Sequence, residues 1–498
     1  MIPLRWNFTR KIMDSSTCKR LVHTAPHHAN PPRQENAISA EWLQRILKDR
    51  SEPPKLYAWT LANLPGTATT TSTTPRPAGT TRAKDSNDEQ RRIYILGVGN
   101  MGRLYAMCLA RHAGPERAPI TLVVHRRELL EHWAAHPGIE LARQGRDRDR
   151  EAAERNADFD VEWWTEARPD AGPVAEPAAE IPNLVVATKA ADALPQVDRL
   201  RRYLGARSTV AFTQNGMCRL WPPLGEAYAR ARFPSSSSPG AGTDTGMGSG
   251  AGIGGSGGPN WLACVTTHGV ISLGPFRSLH ASPANALVGP VMLGGGGGGS
   301  GAEYLMEQIA RAPGLDCRRV SRRELWVAQL EKLVVNSVIN PLTAILRCKN
   351  GELFASRGDD DDLAPVIDAL VDEASRTLSA LVAGSSSDAI LGDDGAGNVQ
   401  AGRKQLLERF SFTRLQGMLL AVGAKVSENT SSMLQDVRAG KQTEIDDFNG
   451  WLVETTRYLE GGLQLLIHER LVGLVKAEAV LTRGEVKRHL MPTEIGRQ

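Results

Sequence analysis

Between Arg91 and Gly216, short β-branched runs alternate with segments of helical period. The runs are Ile93–Leu96, Ile120–Val124, 184–187 and Thr209–Phe212, a rhythm that predicts βαβ units building a parallel sheet. From Ser321 onward the apolar period becomes that of a helix. Ser321 and Glu324 make a capping box ahead of an apolar-faced helix over 325–346, and further helices are predicted at 410–422 and 444–459. The pattern predicts an α/β N-terminal Rossmann-like domain with a parallel sheet, followed by an all-α C-terminal domain.

Length and composition refine that plan. At about 150 residues per domain, 498 residues suggest three domains. However, the 49 glycines and 29 prolines gather in stretches that cannot bury a core, which lowers the expectation to two. The stretches are a Thr-rich linker at 66–82 and insertions at 234–259, 294–301 and 384–402, expected to be disordered and cheap in closure entropy. The expected units are an N-terminal extension over 1–90, a nucleotide-binding domain over 91–315, a helical domain over 316–485 and a tail over 486–498. Within the extension, 38–47 reads as a short amphipathic helix, and folding is expected to begin near Arg91.

The first 25 residues carry Arg5, Arg10, Lys11, Lys19 and Arg20 against Asp14. They read either as an organelle transit peptide or as an unstructured basic terminus, which puts a mitochondrial location ahead of a cytoplasmic one. Net charge is 59 − 55 = +4, spread along the chain, so nucleic acid is not an indicated partner. Cys18, Cys108, Cys218, Cys264, Cys317 and Cys348 lie far apart without a CxxC pair, which predicts free thiols and no metal site. No apolar run is long enough for a transmembrane segment.

Gly97-Val98-Gly99-Asn100-Met101-Gly102 places a GxGxxG after a strand and at the head of a helix. In that context Gly97 allows a tight turn, Gly99 lets backbone approach a pyrophosphate, and Gly102 allows close packing, with the helix N-terminus favouring negative charge. The next strand runs into His125-Arg126-Arg127, where an NAD enzyme would carry an acid. A cation there suits a 2′-phosphate, so NADPH is the expected cofactor, although one of the two arginines can equally be a solvated loop residue. Lys189 and Gln214-Asn215-Gly216 follow the next two strands, at the end where ligands of open parallel sheets gather.

Farther along, Lys332, Asn336 and Asn340 fall on one face of an otherwise apolar helix. Such a stripe either lines a cleft or joins a structural polar network, because an unpaired buried amide or ammonium is costly. Pro341 predicts a bend at Asn340. Asn429, Ser432, Glu444 and Asp446 sit near helix starts, where capping is their default role.

Together these pieces resemble the ketopantoate reductase (2-dehydropantoate 2-reductase) family, of the fungal kind. The pieces are Gly97-Val-Gly-Asn-Met-Gly, Gln214-Asn-Gly-Met217, the run from Lys332 to Ala344, Asn350-Gly-Glu-Leu353, Ser431-Ser-Met-Leu-Gln-Asp436 and Thr443-Glu-Ile-Asp446. They span about Arg91 to Glu478 in the family's order. The resemblance implies NADPH-dependent reduction of 2-dehydropantoate to (R)-pantoate for coenzyme A synthesis. Its C-terminal domain would be of the 6-phosphogluconate dehydrogenase C-terminal type, and the protein a monomer or homodimer.

Lys332 would be the general acid, and Asn215 would hold the cofactor and substrate region. Arg126 and Lys189 would contact the 2′-phosphate side of the cofactor. Asn336, Asn340, Asn429 and Ser432 would hold the substrate's carboxylate and hydroxyl groups, Glu444 would accept from the substrate hydroxyl, and Asn350 would support the site. Two alternatives remain: a reductase of another branched 2-oxo acid, or a catalytically silent relative with a mitochondrial interaction role. After Gly462 the chain departs from the family's Pro-x-Asn turn, reading Leu465-Leu-Ile-His468, which leaves the last helix open.

Overall fold

The computed structural model describes residues 40–65, 86–114, 117–143, 153–222, 224–234, 257–294, 299–355, 363–393, 398–459 and 462–491. The basic N-terminus and the Thr-rich 66–82 lie outside the described residues, as does nearly all of the 234–259 segment.

The chain opens with α1 (Glu41–Lys48), β1 (Tyr57–Trp59) and α2 (Ser86–Arg91), then β2 (Ile93–Leu96), α3 (Asn100–Ala110), β3 (Ile120–Val124) and α4 (Arg127–Ala135). Next come β4 (Ile139–Arg143), β5 (Glu154–Asn156), β6 (Asp160–Thr165), β7 (Asn183–Val186), α5 (Ala190–Arg199), β8 (Thr209–Phe212) and α6 (Leu224–Arg232). The N-terminal domain ends with β9 (Asn260–Thr266), β10 (Gly269–Gly274), β11 (Arg277–Ser282), β12 (Ala286–Met292), α7 (Gly299–Ala310) and β13 (Cys317–Arg319). The helical domain holds α8 (Arg322–Leu346), α9 (Ala364–Ala383), α10 (Asp388–Leu391), α11 (Val399–Arg409), α12 (Phe412–Lys425), α13 (Ser432–Arg438), α14 (Trp451–Tyr458), α15 (Leu466–Lys476) and α16 (Arg483–Leu490). None of these helices is long and apolar enough to cross a membrane.

The main sheet has nine strands in the order β1-β6-β3-β2-β7-β8-β9-β12-β13. Its run from β6 to β9 is parallel, with β1 antiparallel to β6, β12 antiparallel to β9, and β13 parallel to β12. Strands β2, β7 and β8 are buried at every position, as expected of a sheet covered on both faces. Alternation along β2 divides the core. Ile93 and Ile95 pack with α3, α4 and α7, whereas Tyr94 and Leu96 join a cluster continuous with α8 and α9. Since β3 and β7 flank β2 on opposite sides, the carboxyl end of β2 is a switch point where a crevice opens.

Four expectations are corrected. Folded chain is already present well before Arg91: β1 pairs with β6, and Leu43 and Leu56 are fully buried. A three-residue strand has too little periodicity to be read, and the amphipathic α1 gains its apolar partner only when α6 packs against it. The 384–402 segment is largely helical, because Ile390 and Leu391 bury themselves and seat α10. At 294–301, α7 already begins at Gly299. The tail starts later than 486, since α16 runs to Leu490 and buries Val486 and Leu490.

Helix α8 carries the predicted capping box, with Glu324 N–H donating to Ser321 Oγ at 3.2 Å. As the predicted 325–346 span requires, it stays helical through Pro341 to Leu346. Proline lacks the N–H that would bond the carbonyl four residues earlier, here Ser337. Asn449 supplies the donor from outside, its Nδ2 lying 2.8 Å from Ser337 O. The same amide donates to His468 Nδ1 at 2.8 Å, and His468 Nε2 donates to Leu370 O at 3.1 Å. Glu373 caps the start of α15 by accepting from the Ile467 and His468 amides at 3.0 Å. Thus the 465–468 departure from the family pattern forms a buried polar network that holds the last helices in place.

Asn449 has no exposed surface, so Asn449→Ala leaves the Ser337 carbonyl and His468 without a donor. Denaturant unfolding is expected to show a loss of about 1–3 kcal/mol, with turnover per folded molecule retained.

Candidate active site

Each glycine of the 97–102 loop answers a different constraint. Gly97 has φ +92°, and a Cβ on it would lie 2.9 Å from Thr188 N. A Cβ on Gly102 would lie 2.0 Å from Gly97 O, so turn and helix can approach only without it. Around Gly99, by contrast, there is open space to 4 Å. Gly99 is also the N-cap of α3, and no side chain caps the helix. Amides of the first turn therefore face an open concavity, the arrangement that receives a pyrophosphate. Beside it, the buried Thr188 Oγ1 has no partner among the described residues. These features fit a dinucleotide.

Other residues of the loop turn toward the protein. Asn100 Nδ2 donates to Val270 O at 3.1 Å and its Oδ1 accepts from Ser278 Oγ at 3.3 Å, so only its backbone is free for a ligand. Val98 and Met101 pack against the core under the sheet, and Val98 O accepts from Arg103 Nε at 3.1 Å. Arg103, which the sequence did not flag, is buried and also donates to Gly99 O, Gly274 O and Arg277 O. Burial pulls its pKa down to about 10.

At the end of β3, Arg126 is the N-cap of α4, its side chain is 59% exposed, and Glu128 lies 3.9 Å away. Arg127 is engaged instead, paired with Glu131 at 2.9 Å and lying 5.5 Å over the Trp59 ring. Lys189 points to the helical domain: its Nζ lies 2.7 Å from Asp436 Oδ2 of α13. Burial lowers the Lys189 pKa, but Glu444, Asp436 and Asp447 outweigh it and hold the ammonium above its usual range.

The second cluster converges on Lys332. Its Nζ donates to Asn215 Oδ1 at 2.8 Å and to Thr266 O, the end of β9, at 2.5 Å. Asn215 Nδ2 in turn reaches Glu444 Oε2 at 3.5 Å, so one amide spans the acid and the base. Burial lowers the Lys332 pKa to about 8, opposed by the Glu444 charge, while burial raises that of Glu444. Three features place Asn215. Gln214 Nε2 donates to Val186 O at 2.8 Å, Gly216 adopts φ +81°, and a Cβ on Gly216 would lie 2.7 Å from Asp447 O. Instead of a simple helix over 444–459, Asp446–Gly450 is a π-turn ahead of α14, and it brings Glu444 and Asp447 to this loop.

Along the same face of α8, Asn336 is half-buried and Asn340 is buried, the latter about 12 Å from Lys332 by helix rise. Asn340 Nδ2 donates to Ser432 Oγ at 3.3 Å. Capping of α13 falls to Ser431, whose Oγ accepts from Leu434 N at 3.1 Å, which leaves Ser432 facing Asn340. Asn429 is exposed, and its backbone O accepts from the backbone N–H of Asn350 at 3.1 Å. The structure thus brings together Lys332, Asn215, Glu444 and Lys189, with Asn340 and Ser432 beyond them. Asp436 and the Thr266 carbonyl complete the cluster. Asp436 stood inside a quoted motif without a role, and a backbone carbonyl leaves no trace in sequence.

The cradle makes a paired prediction. Gly99→Ala should keep its melting temperature but bind nucleotide weakly, because its methyl enters the open concavity. Gly102→Ala should lose both, since its methyl meets Gly97 O. Thermal melts and nucleotide titration of the two variants check this.

Two models described as "Ketopantoate reductase PanE/ApbA" match residues 93–292 and, for the C-terminal part, 324–479. Ketoisovalerate reductase BEA2 of Gibberella fujikuroi is 41% identical, covering 90% of this chain and 98% of the relative. The ketoisovalerate reductase of Beauveria bassiana is 38% identical with the same coverage of 90% and 98%. A probable 2-dehydropantoate 2-reductase of Schizosaccharomyces pombe is 25% identical, covering 78% of this chain and 97% of that protein. Among solved structures, D-mandelate dehydrogenase with NADH and anilino(oxo)acetate shares the fold. It has a TM-score of 0.50 at 15% identity over 78% of this chain and 97% of its own.

Proposed function

The chain belongs to the ketopantoate reductase family, and from that premise we propose that it is an NADPH-dependent reductase of a branched 2-oxo acid, with 3-methyl-2-oxobutanoate (ketoisovalerate) as first substrate. The observation that carries the reading is the Lys332 ammonium, fixed between Asn215 and the Thr266 carbonyl and facing Glu444. Its similarity to ketoisovalerate reductases over nearly the whole chain supports the choice of acid. A second reading, reduction of ketopantoate, is favoured by the partly buried Glu444 and by Ser432, polar groups able to meet that substrate's additional hydroxyl.

When bound, the dihydronicotinamide supplies hydride to the ketone carbon. Lys332 does the rest at the oxygen: its ammonium polarises the carbonyl, offsets the charge that develops and gives up a proton. Asn215 keeps that proton directed and links it to Glu444. Asn336, Asn340 and Ser432 offer uncharged donors for the substrate carboxylate. On the cofactor side, Arg126 is the cation placed for a 2′-phosphate. With the Lys189 ammonium paired to Asp436, we assign that role to Arg126.

NADPH oxidation measured with ketoisovalerate, ketopantoate and straight-chain 2-oxo acids tests the substrate. No turnover of any branched acid removes the reading, and preference for ketopantoate selects the second. Lys332→Ala should lower kcat by about 10²- to 10⁴-fold with nucleotide affinity little changed. A proton donor must be protonated, so wild-type kcat should hold below a pH of about 8 and fall as pH rises through it.

Charge reversal at Arg126 provides the cofactor test. Arg126→Glu should weaken NADPH far more than NADH, whereas equal losses would show that Arg126 does not read the 2′-phosphate.

A further inference from the structure

We infer that His268 is a positioning residue for the reaction: it fixes the turn after β9 whose Thr266 carbonyl holds the Lys332 ammonium. The inference rests on the reading of Lys332 as proton donor.

Residues 266–268 turn the chain out of the main sheet into the β10–β11 hairpin. The turn is pinned from several directions. Thr267 N–H donates to Asn285 O at 3.0 Å, and Thr267 Oγ1 donates to the same carbonyl at 2.9 Å. His268 is buried, and its Nε2 lies 2.9 Å from Leu315 O. A carbonyl can only accept, so Nε2 carries the proton and Nδ1 is an acceptor. Two donors converge on that acceptor: the Ala284 amide at 3.0 Å and His280 Nε2, also at 3.0 Å. His280 is buried beside it with the rings 5.0 Å apart.

This arrangement admits one protonation state. A proton on His268 Nδ1 would face two N–H groups and an unpaired buried charge. Burial lowers the pKa of both imidazoles, that of His280 to about 4. Asp316 faces His268 and opposes the shift, while Arg143 and Arg111 face His280 and add to it. Both shifts favour the neutral pair that this hydrogen-bond geometry requires, and the turn keeps one geometry. Two residues upstream, the Thr266 carbonyl is one of two acceptors on the ammonium. Hydrogen bonding to a charged form favours that form, so a displaced carbonyl lowers the Lys332 pKa and misaligns its proton.

The test uses the full chain with His268→Ala, His268→Gln and His268→Asn. Asn keeps an acceptor where Nδ1 stands, whereas Gln keeps only the donor toward Leu315 O. Two quantities are read: the pH profile of kcat, and the pKa of the Lys332 amine from pH-dependent trace acetylation followed by mass spectrometry. His268→Ala should lower kcat about tenfold with KM for NADPH unchanged. It should also move both the basic limb and the amine pKa to lower pH, and His268→Asn should restore them. If His268→Ala does not fold, His268→Gln is read in its place. A lower melting temperature with limb and amine unmoved, or moved to higher pH, overturns the proposal. Trace acetylation needs no turnover, so a protein inactive on every 2-oxo acid would sink the functional reading while the amine shift still decided the role of His268.

Discussion

One ammonium in a poor place for a charge organises this structure. Lys332 sits on an apolar helix, where burial works against its charge and draws its pKa down to about 8. Its charge survives through three groups from three separate segments: an amide oxygen after β8, a carbonyl ending β9, and a carboxylate before the π-turn. Each must be delivered by its own scaffold. Much of the local detail, including Gly216 in its left-handed conformation and the π-turn pressed against it, follows from bringing those three segments together.

The β10–β11 hairpin connects this charge to the nucleotide cradle. Its strand carbonyls accept from Arg103 and Asn100 at the head of α3, while the turn before it presents Thr266 O to Lys332. Arg103 reaches both the glycine loop and the hairpin, so a shift in either is felt by the other. A reductase needs its proton donor and hydride donor in register to within a fraction of an ångström, and a shared rigid element achieves that without direct contact between them.

Legibility followed the range of the interactions. The four strands of the βαβ pattern, the capping box of α8 and the glycine loop depend on neighbours in sequence, and they appear where periodicity and motif place them. Short elements that exist only through distant pairing were invisible: β1 needs β6, and the second sheet, β10-β11-β4-β5, assembles segments with no shared pattern. The bend expected at Pro341 follows from the local rule. What that rule cannot show is that Asn449, far along the chain, supplies the Ser337 carbonyl with the donor the proline lacks. In the site, side-chain identities were readable, whereas Lys189 turned to Asp436 because a carboxylate arrives from a helix whose placement no local signal reveals.

Charge balance also constrains what the site can admit. Around Glu444 stand two ammoniums, Lys332 and Lys189, with Asp436 and Asp447, and Arg219 lies 3.2 Å from Asp447. Lys189 and Arg219 are thus already in ion pairs. A 2-oxo acid brings one more negative charge. Under the proposed function, with those cations committed, its carboxylate would be met by donors that carry no charge of their own. On that reading Lys332 would be left to the ketone oxygen, where negative charge appears only as the reaction proceeds. Asn336 and Asn340, one and two turns from Lys332 on the same face of α8, and Ser432 of α13 beside Asn340, would be such donors. Dividing the work in this way stabilises the developing charge more than the resting substrate, which is what raises turnover rather than affinity.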